Sequence, residues 1–284
     1  MKGIALVVGA DGLLGRCLVA RLADLPEVTV LPVTRANGDL RLADSWERLP
    51  PADHVFQLAA RTFVPDSWDH PRQFVQDNIA ITSNALEYCR RHGSNMIYAS
   101  SYLYGNPERL PIPESARIVI SNPYALSKRM CEEMVEQFSR MFGFPATVVR
   151  PFNIYGPRQD QRFLLPSIIQ QAIHADEIRV MDLEPRRDYV FVDDVADAFL
   201  ACAGAPSDFE VYNVGSGESY SVGEVAAIIM RLVGRQLPII SAAERRESEI
   251  METRADIAKA RESLGWEPKF SIEAGLRTLV DSVR

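Results

Sequence analysis

The chain has 284 residues and a formal net charge of -7, which argues against a nucleic-acid partner because phosphate binding needs a basic surface. Its length favours one large domain with an added lobe over two independent domains, and a hydrophobic content of 47% supplies a sizeable core. No apolar run approaches the roughly 18 residues of a membrane span, the N-terminus lacks a signal-peptide pattern, and the scattered cysteines and histidines follow neither a disulfide nor a metal-ligand spacing, so a cytoplasmic protein without metal or membrane contact is expected.

Residues 4–8 are apolar and β-branched without alternation, the pattern of a parallel strand buried on both faces. The turn Gly9-Ala10-Asp11-Gly12-Leu13-Leu14-Gly15 follows at once, leading into a helical pattern over 12–25 and a second strand over 28–33. Glycines between a buried strand and a helix let a pyrophosphate approach the backbone, where the helix N-terminal amides bind it. Alone, such a trio predicts only a tight turn. At the end of the second strand, dinucleotide folds selective for NAD place an acid for the ribose hydroxyls; this chain has Thr34-Arg35. An arginine fork binds a 2′-phosphate, which favours NADP over NAD, and the plainer reading is an exposed loop arginine. Asp39-Leu40 lies at the next strand edge, where it is placed to hold the adenine.

Strands over 54–60, 95–100 and 146–149 then alternate with helices over 71–92 and 123–141. That order predicts an α/β fold, a doubly wound parallel sheet of the dinucleotide-binding (Rossmann) type over residues 1–155. Beyond Pro151 the pattern changes to short strands near 178–180, 190–192 and 237–240, helices near 165–175, 193–203 and 222–233, and terminal helices from Asp256 and Ile272. Residues 156–187 and 205–284 are assigned to a smaller α/β substrate lobe, with 188–204 returning to the first domain.

The chemistry concentrates in Asn122-Pro123-Tyr124-Ala125-Leu126-Ser127-Lys128. Residues four apart share a helix face, so the Lys128 ammonium is placed beside the Tyr124 phenol and favours phenolate. That brings a group titrating near about 10 closer to the working pH of a proton shuttle. Pro123 suits the first helical position and Asn122 or Ser121 the cap, which sets Tyr124 near the positive end of the helix dipole.

In these residues the chain resembles the extended short-chain dehydrogenase/reductase family, in particular its nucleotide-sugar epimerases, dehydratases and 4-keto reductases. The likeness spans nearly the whole sequence: Gly9 to Gly15, Gln57-Leu58-Ala59-Ala60, Tyr98-Ala99-Ser100-Ser101-Tyr102-Leu103-Tyr104-Gly105, Tyr124 to Lys128, Arg150-Pro151-Phe152-Asn153-Ile154-Tyr155-Gly156-Pro157, Arg187-Asp188 and Leu264-Gly265-Trp266-Glu267-Pro268. The resemblance implies that Ser100 completes a catalytic triad with Tyr124 and Lys128, with Ser101 the substitute. It implies that Ala59, Ala60, Arg61, Asn78, Pro151 and Ile154 line the cofactor with the glycine turn, and that Lys128 also binds the nicotinamide ribose. Ser101, Asn153, Arg187 and Arg246 would meet the substrate, the arginines at its diphosphate, with Arg186 or Arg245 as alternatives and solvated charge as the plain reading. A homodimer through a four-helix contact of 71–92 and 123–141 is a further implication.

Dehydratases of the family carry an Asp-Glu pair after the triad hydroxyl, and this chain has Ser101-Tyr102. Without two carboxylates the elimination has no acid-base team, which disfavours dehydration. The expected activity is therefore NAD(P)-dependent hydride transfer at C4 of a nucleoside-diphosphate sugar, foremost as a 4-keto-6-deoxyhexose reductase. A 4-epimerase is the alternative, ahead of a reductase of non-sugar carbonyls and of a non-catalytic nucleotide sensor.

Overall fold

In the computed structural model, which describes residues 1–242 and 250–284, β1 (Gly3–Val8) runs through the glycine turn into α1 (Leu13–Ala23) and β2 (Val28–Val33). A 3-10 turn at Arg35–Asn37 precedes α2 (Ala43–Glu47), β3 (His54–Gln57), α3 (Val64–Asp69), α4 (Pro71–His92), β4 (Asn95–Ala99), α5 (Pro123–Phe142) and β5 (Ala146–Pro151). Then follow β6 (Asn153–Tyr155), α6 (Leu164–His174), β7 (Ile178–Val180), β8 (Arg186–Arg187), β9 (Tyr189–Phe191), α7 (Val192–Gly204) and β10 (Phe209–Val214). The chain closes with β11 (Tyr220–Ser221), α8 (Val222–Val233), β12 (Ile239–Ser241), α9 (Ala258–Leu264) and α10 (Ile272–Asp281).

Six strands form one parallel sheet in the order β10-β5-β4-β3-β1-β2. The chain winds outward from β1 to β2, then crosses back to β3 on the other side of β1. Such a reversal opens a crevice at the carboxyl ends of the strands, the place where doubly wound sheets bind ligands. Both faces are covered, which is why Ala5, Leu6, Val7 and Val8 are all fully buried. On one face Leu14, Leu18 and Leu22 of α1 pack with Val195, Ala198 and Phe199 of α7. On the other, Ala85, Leu86 and Cys89 of α4 pack with Cys131 and Val135 of α5. Each buried leucine contributes roughly 1.5–3 kcal/mol.

The sixth strand corrects the sequence-based division of the chain. Residues 209–214, assigned there to the lobe, pair along their whole length with β5. Phe209, Val211, Tyr212 and Val214 suit a strand, but only its second half is buried and it carries Glu210 and Asn213, so its local pattern does not say which sheet it joins. Pairing with β5 decides its place. A third core joins α6, α8 and α10 around Tyr155, Phe191, Ile168, Ile229 and Leu276. The small pairs β7–β12, β8–β11 and β6–β9 fringe it.

Candidate active site

The glycine turn is shaped by contact rather than by freedom alone. Gly9 adopts φ +90, and a Cβ there would sit 2.9 Å from the Ala59 backbone nitrogen. A Cβ on Gly15 would lie 2.2 Å from the Gly9 carbonyl oxygen, so glycine is what lets α1 start against the end of β1. Gly12 is the N-cap of α1 and makes no side-chain cap, which leaves the first-turn amides after Asp11, at Leu13, Leu14 and Gly15, with the helix dipole behind them. This cradle fits a diphosphate.

At the adenosine end, the Thr34 hydroxyl accepts from the Ala36 amide and the Asn37 side chain accepts from the Thr34 amide, fixing the turn that begins at Arg35. Arg35 is exposed and forms no ion pair among the described residues. Asp39 is held by the Arg41 guanidinium at 2.6 Å, which keeps its carboxyl down at about 2. Its side chain is thus engaged, and the neighbouring Leu40 carbonyl accepts from Trp46 Nε1 and Asn84 Nδ2. Arg41 also reaches Asp77, whose other oxygen accepts from Arg61 Nε at 2.6 Å.

Ala59 and Ala60 follow β3, with the Leu58 and Ala59 amides both donating to the Val8 carbonyl. Asn78 of α4 accepts from the Arg61 amide at 2.8 Å and donates to Ser127 Oγ at 2.9 Å, tying that loop to α5 one residue before Lys128. The α5 cap is Asn122, whose side chain accepts from the Ala125 amide at 2.8 Å.

Ser100 ends β4. It is buried, and its hydroxyl has no hydrogen-bond partner among the described residues. An unmet buried hydroxyl costs about 1–3 kcal/mol, the kind of cost that functional sites carry. The Tyr124 hydroxyl is hydrogen-bonded by Ser101, with the Tyr102 phenol close enough to act on it electrostatically. The Lys128 ammonium donates to the Ala99 carbonyl at 2.7 Å and lies 5.0 Å from the centre of the Tyr98 ring.

These surroundings correct the expected ionisation of the dyad. Packing around the hydroxyl of the half-buried Tyr124 pushes it up to about 12, against the pull of Ser101. Burial takes Lys128 down to about 8, opposed by Cys131 and Glu132. Desolvation of both groups outweighs the mutual stabilisation that spacing alone suggests, because each charge must leave water.

On the other wall, Pro151 is buried and Ile154 half-buried. The Asn153 side chain is already paired at both ends, accepting from the Tyr102 hydroxyl at 3.2 Å and donating to the Asp188 carbonyl at 3.0 Å. Arg187 turns toward residue 250, donating to the Ile250 carbonyl at 2.6 Å. Arg186 donates to the Ser219 carbonyl and pairs with Glu224. Arg246 and Arg245 lie outside the described residues.

Two aromatic residues join the wall that sequence reasoning did not place there. Tyr102 stacks on Phe152 with centroids 5.1 Å apart. Tyr189 is buried, its hydroxyl has no hydrogen-bond partner among the described residues, and Arg187 and Tyr102 act on it electrostatically. The only cue for either was its place within a motif, beside Ser101 and after Arg187-Asp188.

A family model described as the NAD dependent epimerase/dehydratase family matches residues 5–215. A GDP-6-deoxy-D-mannose reductase of Pseudomonas aeruginosa is 31% identical over 96% of this chain and 95% of its own length. A UDP-glucose 4-epimerase of Halalkalibacterium halodurans is 29% identical over 97% and 93%. Among solved structures, RMD from Pseudomonas aeruginosa complexed with NADPH matches with a TM-score of 0.92 at 30% identity, covering 99% of this chain and 98% of that one. The UDP-glucose 4-epimerase of Thermotoga maritima with UDP-glucose reaches 0.89 at 28% identity, with the same coverage. The chain belongs to the NAD-dependent epimerase/dehydratase family, the nucleotide-sugar group of the extended short-chain dehydrogenases/reductases.

Proposed function

We propose that this protein is an NADPH-dependent reductase of nucleoside-diphosphate 4-keto-6-deoxyhexoses. The observation that carries hydride-transfer chemistry is the buried Ser100 hydroxyl without a partner at the end of β4, on the strand whose last carbonyl holds Lys128 and next to the Ser101 that bonds Tyr124. The glycine turn and the start of α1 would hold NADPH, which would supply the hydride for C4. Tyr124 gives the proton to the keto oxygen, Ser100 donates a hydrogen bond to that oxygen, and Lys128 keeps a positive charge beneath the phenol and meets the nicotinamide ribose. The first-turn amides of α1 hold the pyrophosphate, while Ala59, Ala60, Arg61, Pro151 and Ile154 wall the cofactor. Asn153 and Arg187 serve the substrate, each exchanging a present hydrogen bond for one to the ligand.

NADPH is supported by Arg35, exposed at the end of β2 where an acid would repel a 2′-phosphate, and by the NADPH named with the Pseudomonas aeruginosa structure. Reduction is supported by the full-length likeness to a reductase. Epimerisation at C4 stands as the second reading because the curated relatives include several UDP-glucose 4-epimerases. Incubation with NADPH and nucleoside-diphosphate 4-keto-6-deoxyhexoses of each base separates the two. Stoichiometric NADPH oxidation is expected, and isomerisation of a nucleoside-diphosphate hexose without net NADPH consumption would displace reduction.

We place the enzyme in the cytoplasm as a homodimer through α4 and α5. No described helix is long and apolar enough to cross a membrane. Leu126 and Met130 lie one turn apart on α5 and stay exposed at 41% and 39%, and Leu126 lines one surface groove with Trp68, itself 60% exposed. Sedimentation velocity is expected to give a dimer that Leu126→Glu converts to monomer.

A further inference from the structure

Behind the dyad lies a buried charge cluster that hydride transfer as described does not use. Glu132 sits one turn after Lys128 on α5, and the two are 3% and 2% exposed. Arg150, near the end of β5, clasps Glu132 with two parallel bonds, Nε to Oε1 at 2.9 Å and Nη2 to Oε2 at 2.7 Å. Its remaining nitrogen donates to the Tyr104 hydroxyl at 2.9 Å, and Tyr104 in turn donates to Asn213 of β10 at 2.6 Å. Tyr104 stands four residues after Ser100. One guanidinium therefore grips both the helix bearing Tyr124 and Lys128 and the loop that leaves Ser100.

Stability is a weak reason for such a pair, since moving two charges out of water offsets most of their attraction. Its placement suggests a better one. We propose that Glu132, oriented by Arg150, is a positioning residue that keeps Lys128 charged and locks α5 in register with the Ser100 loop. The proposal rests on the reading of Lys128 given above.

The groups facing Lys128 narrow the source of any counter-charge. Its own helix presents Cys131 and Glu132, with Tyr124 one turn before it; β4 presents the Tyr98 ring and the Ala99 carbonyl; the neutral Asn78 of α4 bonds the adjacent Ser127. From β5 comes Arg150, matched by Glu132, and the partly exposed Arg129 lies 3.5 Å from the same carboxylate. Of these, Glu132 is the one carboxylate, and Arg150 holds it in place. With Cys131, which acts more strongly, it opposes the fall that burial imposes on Lys128.

Glu132→Gln keeps the shape and an acceptor for Arg150 but removes the charge. The probe is the Lys128 side-chain titration, followed by NMR of lysine-labelled protein and assigned by its absence in Lys128→Arg. We expect the Lys128 midpoint to fall by about one pH unit, and the basic limb of kcat/KM against pH to fall with it. Glu133→Gln, on the exposed side of the same helix, is expected to move neither. Should Glu132→Gln not fold, the double variant Glu132→Met with Arg150→Met replaces the pair by apolar chains of similar length, a kind of exchange that is often tolerated. The same downward movement is expected in it. A Lys128 titration that stays in place in the folded variant overturns the proposal, as does a shifted titration with an unshifted basic limb in active enzyme. Because the NMR titration needs no turnover, a wild-type protein inactive on every nucleotide sugar would sink the proposed function and leave this inference standing or falling on its own.

Discussion

Tyr124 and Lys128 are held away from their solution behaviour in opposite directions, the phenol up to about 12 and the ammonium down to about 8, both chiefly by burial. The sign for Lys128 is direct. It is charged below about 8 and neutral above, so the charge beneath Tyr124 is lost as pH rises through that value. Reductive kcat/KM is expected to decline above a midpoint near pH 8, and a flat profile well beyond it would show that Lys128 acts uncharged. Ser100 carries a different tension, because its unmet buried hydroxyl destabilises the protein without substrate. Ser100→Ala is expected to raise stability by about 1 kcal/mol while lowering kcat by about 10- to 100-fold. Thermal melts and steady-state kinetics on one preparation read both, and a variant that is neither stabler nor slower would remove Ser100 from the site.

At the scale of elements, the junction of β1, the glycine turn and α1 is packed with little room to give. A methyl at Gly15 meets the Gly9 carbonyl oxygen at 2.2 Å and Ala10 Cα at 2.8 Å, which are backbone atoms that cannot rotate aside. At Gly12 the same methyl meets only the Gly9 oxygen, at 3.3 Å. Gly15→Ala is therefore expected to shift α1, cost about 1–3 kcal/mol and weaken NADPH binding, while Gly12→Ala costs less. Denaturant titration and cofactor fluorescence measure the two effects, and equal costs at the two positions would contradict the contact argument. The α5 start is fixed locally by comparison, with Pro123 in the first turn and Asn122 as cap.

For the molecule as a whole, Asp188 is the joint between sheet and lobe. Its buried carboxylate accepts from Ser216 N and Oγ, Gly217 N and Ala255 N, while its carbonyl accepts from the Asn153 amide and side chain. The segments after β10, at β6 and before α9 thus meet on one residue. Asp188→Ala is expected to destabilise the fold by about 3 kcal/mol or more, since several buried donors lose their acceptor together; urea titration checks it, and a change within about 0.5 kcal/mol would deny Asp188 this role. Much of the architecture was legible beforehand, because its signals are local. A β-branched run, three glycines in seven residues, and a tyrosine and lysine four apart each constrain the backbone or the helix face directly, and they specified the doubly wound sheet, the tight turn from β1 into α1 and the placing of Tyr124 and Lys128 one turn apart on α5. The place of β10, the paired state of Asn153, the engagement of Asp39 by Arg41, the unmet Ser100 hydroxyl and the reversed ionisation of the dyad were decided only by folding. Desolvation and pairing depend on groups distant along the chain, as Tyr104 and Asn213 are, 109 residues apart yet sharing one hydrogen bond. A linear pattern carries no measure of how much water such groups lose when they meet.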